Sequence, residues 1–272
     1  MGKLIRKIIE GTPMWLDPCD HGVGQRLNAV GKREECFMWL LRKFANGVAF
    51  DVGANIGYCT LSLARKCSAV YAFEPSEENQ KTLRANVSDK ENVFVNPYVV
   101  SDRDGQINFY LTKRPNLNSI IKPGEGSVPI ERTMISIDSF CKQRDVKPNF
   151  IKMDIEGGEV GALRGAEETM ATAENLAILI EVHPEKYSTA NDFAGVLTHI
   201  VYDLGYKVKF VINAKGKKQE LMRCAKLFKD NLEADRAIFT DVDPGLVVSQ
   251  ATTMPEDGRK VLRAIMLTRY KA

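Results

Sequence analysis

The sequence has no CxxC pair, no stripe of basic residues, no long uninterrupted apolar run and no internal repeat. Each absence removes a class of protein. The six cysteines (Cys19, Cys36, Cys59, Cys67, Cys141 and Cys224) are scattered, and Cys36, Cys59 and Cys67 fall in or beside helical patterns. A disulfide framework belongs to small secreted chains, so these read as reduced, structural thiols of a cytoplasmic protein. The 38 Lys and Arg nearly balance the 35 Asp and Glu, leaving a net charge of +3. A duplex-binding protein carries a larger, more clustered basic excess, so charge gives nucleic acid no support as a partner. No window approaches the ~20 apolar residues that span a bilayer. The opening MGKLIRKIIEG lacks the apolar core of a signal peptide. Its Leu4, Ile5, Ile8 and Ile9 suggest a short amphipathic helix docked on the protein.

What is present is enough apolar sequence for a substantial core and an alternation of strand and helix patterns. Phe37, Leu40, Leu41 and Phe44 stand at helical spacing within Glu34 to Ala45, and Asn46–Gly47 ends that helix. Strands are expected at Val48 to Val52, Ala69 to Phe73 and Asn92 to Val100. Helices are expected between them, at Ile56 to Lys66 and at Ser76 to Val87, with Ser76 as N-cap. That order is the signature of a parallel, doubly wound sheet. Gln106 to Thr112 alternates like an antiparallel strand, and Lys113 to Pro129 reads as a polar loop. Parallel strands resume at Phe150 to Met153 and Leu176 to Val182 around a helix from Glu159 to Thr172. A further helix, Asn191 to Leu204, precedes a strand from Tyr206 to Ile212. Lys217 to Ala234 looks helical, Asp241 to Arg259 looks like loop, and Val261 to Thr268 looks like a closing strand. Residues 1–45 are thus expected as a helical extension packed on one core domain of residues 46–272.

The chemistry gathers first in VAFDVGANIGYCT. An apolar strand ends in Asp51, and Gly53 and Gly57 follow at a strand-to-helix turn. Gly53 permits a tight turn and close backbone approach, while Gly57 leaves room for a ligand or for packing. A helix start offers free N–H groups to an anion, and Asp51 could attract an ammonium. A dinucleotide site would need G-x-G-x-x-G, and this pattern is D-x-G-x-x-x-G. A zwitterionic amino acid attached to a nucleoside fits it better. Glu74 ends the second strand in YAFEP, where a carboxylate can accept from both ribose hydroxyls. Those parts make an S-adenosylmethionine site. A structural alternative has Asp51 as a satisfied capping residue and Glu74 as a surface acid.

These residues carry a resemblance to the FkbM family of S-adenosylmethionine-dependent methyltransferases. It rests on FDVGANIGYCTLSLA, VYAFEPSEENQKTLRANV, VVSDRDGQINFY, ISIDSF, IKMDIEGGEVGALRGAEETM and ILIEVHPE, covering about Gly31 to Glu185. The resemblance implies a Rossmann-like α/β class I methyltransferase fold: a mostly parallel seven-strand sheet flanked by helices, with its last strand antiparallel. It implies O-methylation of sugars, polyketides or lipids. Carried onto this chain, it implies that Asp51, Gly53, Ala54, Asn55 and Gly57 hold the methionine end of the cofactor and Glu74 the ribose. Ser101 and Asp102 would lie near the adenine, and Asp154 would line the methyl-transfer site.

A hydroxyl acceptor needs a base, or a metal that lowers its pKa. Open α/β sheets bind ligands at the C-terminal strand ends. Those ends supply Asp154, Glu156 and Glu159 on one side and Glu181 and His183 on the other. His183 is a natural general base, alternatively a strand-end histidine bonded to a carboxylate. Asp154 and Glu156 join it as catalytic candidates. Asp154, Glu156, Glu181 and His183 are also ligand types for Mg²⁺ or Mn²⁺, although Glu156 and Glu159 could simply charge the start of the next helix. His199 reads as structural, and His21 could reach the site from an N-terminal loop. The loop at Lys113 to Pro129 and the stretch Asp241 to Arg259 could both cover an acceptor. Lys215, Lys217 and Lys218 read as a solvated turn. The expected acceptor is a small molecule or glycan. An RNA methyltransferase and a non-catalytic cofactor-binding protein are the alternatives, and homodimerisation stays open.

Overall fold

The chain enters on a hairpin. The computed structural model describes residues 4–18, 20–122, 126–215, 225–253 and 261–270. Strands β1 (Ile5–Ile9) and β2 (Thr12–Leu16) pair antiparallel across Glu10 and Gly11, which both have positive φ. Two such residues make a tight hairpin turn whose twist suits the strands. The helix expected over Leu4, Ile5, Ile8 and Ile9 is therefore corrected. In the hairpin Ile9, Met14 and Leu16 are buried, while Ile8 faces outward. Helices α1 (Val23–Val30) and α2 (Glu35–Phe44) follow. The segment before residue 46 is a hairpin plus two helices, and it shares a buried cluster (Met14, Leu27, Met38) with Ile56 and Leu61 of the core.

The parallel sheet then builds as its apolar strands dictate: β3 (Val48–Val52), α3 (Tyr58–Ala64), β4 (Ala69–Phe73), α4 (Glu77–Asn86) and β5 (Val93–Asn96). Ser76 caps α4, its hydroxyl accepting from the Asn79 amide. The third expected strand is two. Pro97 breaks the ladder, and β6 (Val99–Val100) leaves for a small sheet with β7 (Gly105–Leu111) and β8 (Val128–Ile135), in the order β6-β8-β7. The remaining elements are α5 (Ile137–Arg144), β9 (Phe150–Met153), α6 (Glu159–Arg164), α7 (Glu167–Thr172), β10 (Asn175–Glu181) and α8 (Phe193–Thr198). After them come β11 (Lys207–Ala214), β12 (Lys226–Lys229), β13 (Arg236–Thr240), α9 (Pro244–Ala251) and β14 (Leu262–Tyr270).

The large sheet has the order β12-β13-β11-β14-β10-β9-β3-β4-β5. Its seven strands from β11 to β5 are the expected sheet, and β14 lies antiparallel between β10 and β11. Two further strands, β13 and β12, extend it beyond β11. Within the helix expected at Lys217 to Ala234, residues 217–224 lie outside the described residues and the rest contains β12. The loop-like stretch from Asp241 contains α9, capped by Asp243 with Pro244 in its first turn. The alternating side chains of the strands feed two cores. Phe50, Phe73 and Phe140 stack edge-on across one face, while Leu40, Leu63, Leu179 and Phe210 pack on the other.

Strand order reverses between β3 and β9, which run side by side with Val52 opposite Met153. The connections from these two strands leave in opposite directions, which opens a crevice at their C-terminal ends. The chemistry of this chain converges there.

Candidate active site

Gly53 sits where two strand ends meet. Its φ is +80°, and a Cβ there would overlap the Asp154 carbonyl oxygen, so only glycine allows the approach. Gly57, at φ +93°, is a packing glycine: a Cβ would reach 2.7 Å from Leu83 Cδ1 of α4. The amides of this loop all find protein acceptors. Gly53 and Ala54 donate to the Phe73 carbonyl, Asn55 to Glu74 Oε2, Ile56 to the Asn55 side chain and Gly57 to the Ala54 carbonyl. Ala54 is buried against the hairpin cluster. The loop's own amides therefore have no donor left for a carboxylate, which leaves the first-turn amides of α3 (Tyr58, Cys59 and Thr60) as the N–H groups the helix start can offer.

Asp51 also differs from its expected place. It is fully buried, with its Oδ2 accepting from Thr60 Oγ1 at 2.6 Å and its Oδ1 3.0 Å from Lys152 Nζ. The same ammonium donates to the carbonyls of Val52 at 3.2 Å and Gly53 at 2.6 Å. Burial opposes charge on Lys152, yet Asp51 holds its pKa well above the usual lysine range. The expectation that Asp51 faces a ligand ammonium is corrected: the pair is an internal strut that bends the glycine loop around the end of β9. Lys152, a lysine inside the otherwise apolar IKM strand, was its signal in the sequence.

Glu74 does face the crevice. It is 4% exposed, and its oxygens accept from the amides of Asn55 and Ser76 and from the Asn79 side chain, at 2.8, 3.0 and 3.2 Å. Burial nevertheless pushes its pKa up against those donors. Beside it lies an apolar slot walled by Phe73, Tyr98, Val100 and Phe109. Ser101 and Asp102 do not line it. Ser101 is pressed against Gly161 and Gly165, and Asp102 pairs outward with Arg103. The wall of the slot is formed one step earlier in the chain, by Tyr98 to Val100, because β6 turns away from the large sheet there. Asn116, Asn118 and Ile120 of the polar loop line the crevice, and Ser119 Oγ ties the loop to the Glu156 carbonyl at 2.7 Å. None of the described residues of the stretch from Asp241 lines it.

The C-terminal ends of β9 and β10 bring Asp154, Glu156, Glu181 and His183 together. Glu159, fully buried at the start of α6, accepts from the Ile155 and Gly157 amides, from His183 Nδ1 at 3.0 Å and from the Tyr187 hydroxyl at 3.2 Å. It is the helix-start acid of the alternative reading, and it also fixes the His183 ring. His183 Nε2 is left without a hydrogen-bond partner, 3.6 Å from Asp154, 3.7 Å from Glu156 and 3.7 Å from Glu181. Burial opposes protonation, but Glu159, Glu181 and Glu156 raise its pKa to about 9. Burial and Asp154 together push Glu181 up to about 8, although Arg263 stands 2.6 Å away. Asp154 goes the other way: against burial, Lys152 and His183 hold its carboxyl below the ordinary range. Asp154, Glu156 and His183 each present an atom within 4.8 Å of the others, which is close enough to share one cation.

His199 lies on the surface between Glu167 and Asp203, and His21 is exposed; neither lines the crevice. Arg33, from the turn between α1 and α2, does line it, a residue that no motif had marked. Its one sequence signal was a charged cluster (KREE) just ahead of an apolar helix. Among the described residues, no helix is long and apolar enough to cross a membrane.

A family model described as the methyltransferase FkbM domain matches residues 51–208. The hexuronic acid methyltransferase AglP of Haloferax volcanii is 32% identical over 139 residues, which cover 50% of this chain and 56% of that protein. The chain thus spans little more than half the length of this curated relative. Among solved structures, the FkbM methyltransferase of Methylobacillus flagellatus KT aligns at 20% identity with a TM-score of 0.43, over 71% of this chain and 42% of that one. The M. jannaschii TYW2 in complex with AdoMet aligns at 12% identity with a TM-score of 0.42, over 98% and 86%. With a family model matching more than half of its length, including the glycine loop and the strand ends that form the crevice, this chain belongs to the FkbM methyltransferase family.

Proposed function

We propose that this protein transfers the methyl group of S-adenosylmethionine to a hydroxyl of a glycan, lipid or natural product, with sugars as the first acceptors to test. The observation that carries the reading is the unpartnered Nε2 of the buried His183, whose ring Glu159 holds just behind Asp154 and Glu156, the two acids that line the crevice. The likeness to a hexuronic acid methyltransferase supports a sugar acceptor. The cofactor fits what lines the crevice: Glu74 stands ready for ribose hydroxyls and the Phe73–Tyr98–Phe109 slot for an adenine ring. Gly53 and Asn55 line the methionine end with Asp154.

When bound, the cofactor supplies a methyl group already activated on a sulfonium. The task of the protein is then to align the acceptor and remove its proton. Neutral His183 takes that proton at Nε2 while Glu159 holds the Nδ1 proton, the arrangement of a positioned general base. Asp154 and Glu156 orient the hydroxyl and compensate the imidazolium that forms. The four free thiols among the described residues (Cys36, Cys59, Cys67 and Cys141) support a cytoplasmic setting.

A second reading of this end of the crevice is a divalent cation, Mg²⁺ or Mn²⁺, shared by Asp154, Glu156 and His183. The orphaned Nε2 among carboxylates favours it. One experiment tests both. Purified protein is titrated calorimetrically with S-adenosylmethionine and with NAD⁺, then assayed on hexuronic acid and neutral sugar acceptors, with EDTA or with added Mg²⁺ or Mn²⁺. Turnover that survives EDTA supports the histidine base, and turnover restored only by cation supports the metal. No S-adenosylmethionine binding by folded protein refutes the cofactor assignment.

A further inference from the structure

With the glycine-loop amides engaged inside the protein, a cofactor carboxylate at that end of the crevice still calls for a charged partner beside the α3 helix start. Lys152 cannot serve, because its ammonium already meets Asp51 and the carbonyls of Val52 and Gly53. Among the described residues lining the crevice, Arg33 is the one cation. From these observations we propose that Arg33, contributed by the segment ahead of the matched family domain, is the residue that binds the carboxylate of the cofactor's methionine moiety. The inference rests on the cofactor reading.

Three features place and prepare this side chain. First, the carbonyl of Arg33 lies 3.4 Å from the Tyr58 hydroxyl, and Tyr58 is the first residue of α3, directly after Gly57. The turn that carries Arg33 is therefore docked on the first residue of α3, and its side chain lines the crevice together with Gly53, Asn55 and Asp154, with Asp154 among the charges that act on it. Second, Nε of Arg33 donates to Glu34 at 2.6 Å, and Arg263 holds the same Glu34 oxygen at 3.0 Å. Glu34 itself takes a left-handed backbone conformation, φ 50°, which sets the turn. The guanidinium plane is fixed at one edge, and its terminal nitrogens remain for a ligand. Third, a planar fork of N–H donors matches the two oxygens of a carboxylate better than an ammonium would. Val23 of α1 lines the same crevice, so the N-terminal segment contributes both an apolar contact and a charge to it.

The test compares S-adenosylmethionine with its decarboxylated analogue by calorimetry, on wild type and on Arg33→Ala and Arg33→Lys. Wild type is expected to bind S-adenosylmethionine about 10- to 100-fold more tightly than the analogue, the range of a charge-assisted hydrogen-bonded pair. Arg33→Ala should lose that preference and keep the affinity for the analogue, while Arg33→Lys restores part of it. Equal wild-type affinity for the two ligands overturns the inference, and this arm needs no variant to fold. A folded Arg33→Ala protein that binds S-adenosylmethionine as wild type does, or loses both ligands equally, also overturns it. If wild type binds neither ligand, the cofactor reading itself fails, and the inference fails with it.

Discussion

Asp51→Asn removes one charge from a pair that has no exposed surface. Asp51 is 0% exposed and Lys152 2% exposed, so the substitution leaves an ammonium buried opposite a neutral amide. Removing one partner of a buried ion pair costs about 3–5 kcal/mol, because the remaining charge is uncompensated. For a chain of this size, about 1 kcal/mol shifts the melting midpoint by roughly 2–4 °C, so a loss on the order of 10 °C is expected. Lys152→Met should cost a similar amount, since it strips Asp51 of its cation and the Gly53 carbonyl of its donor, while the Val52 carbonyl keeps the Asp154 amide at 3.1 Å. The paired change Asp51→Asn with Lys152→Met removes both charges. It should recover most of the loss, falling short by about 1–3 kcal/mol for the Gly53 carbonyl left unsatisfied. Calorimetric or fluorescence unfolding of the four proteins gives the coupling energy directly. The reasoning fails if Asp51→Asn melts within about 2 °C of wild type yet loses cofactor affinity more than tenfold. Asp51 would then be a ligand contact, as its place in the sequence motif suggested, and not a strut.

Glu74→Gln keeps the volume but offers one acceptor oxygen where three internal donors and a ribose compete. S-adenosylmethionine binding should weaken about tenfold by calorimetry, and an unchanged affinity removes Glu74 from the ribose site. With EDTA present so that no cation competes for Nε2, turnover should rise with pH and level off above about 9, since His183 must lose its second proton to act as a base. The folded pKa of His183 lies above the ordinary 6.5, so its contribution to stability is full below about pH 6.5 and fades through about pH 9. A rate flat across that range assigns the proton to another group. Gly53→Ala forces an L-residue to φ +80° against the Asp154 carbonyl, and should destabilise the fold by at least about 1–2 kcal/mol and weaken cofactor binding in the same protein.

The sequence alone was enough to reveal the seven-strand core of the sheet, because apolar strands separated by helical periods leave few other ways to bury their side chains. It determined Glu74 and the grouping of Asp154, Glu156 and His183, since residues just past the C-terminal ends of adjacent parallel strands must converge. It misplaced the N-terminus, where Leu4, Ile5, Ile8 and Ile9 satisfy a helical period, because the choice of a hairpin depends on the positive φ of Glu10 and Gly11 and on the core cluster that Ile9 joins. The strands at Val128–Ile135 and Lys226–Lys229 were hidden for a related reason, being largely polar or exposed and fixed by their partners. Which way the charged side chains point was settled by packing. Asp51 stands at a strand end like Asp154, yet Lys152 from the neighbouring strand turns it inward, and Arg33, far from every motif, reaches the crevice because its turn docks on Tyr58. Periodicity can say where a residue lies along an element, but the partner of a buried charge comes from another part of the chain, and only the packed fold brings the two together.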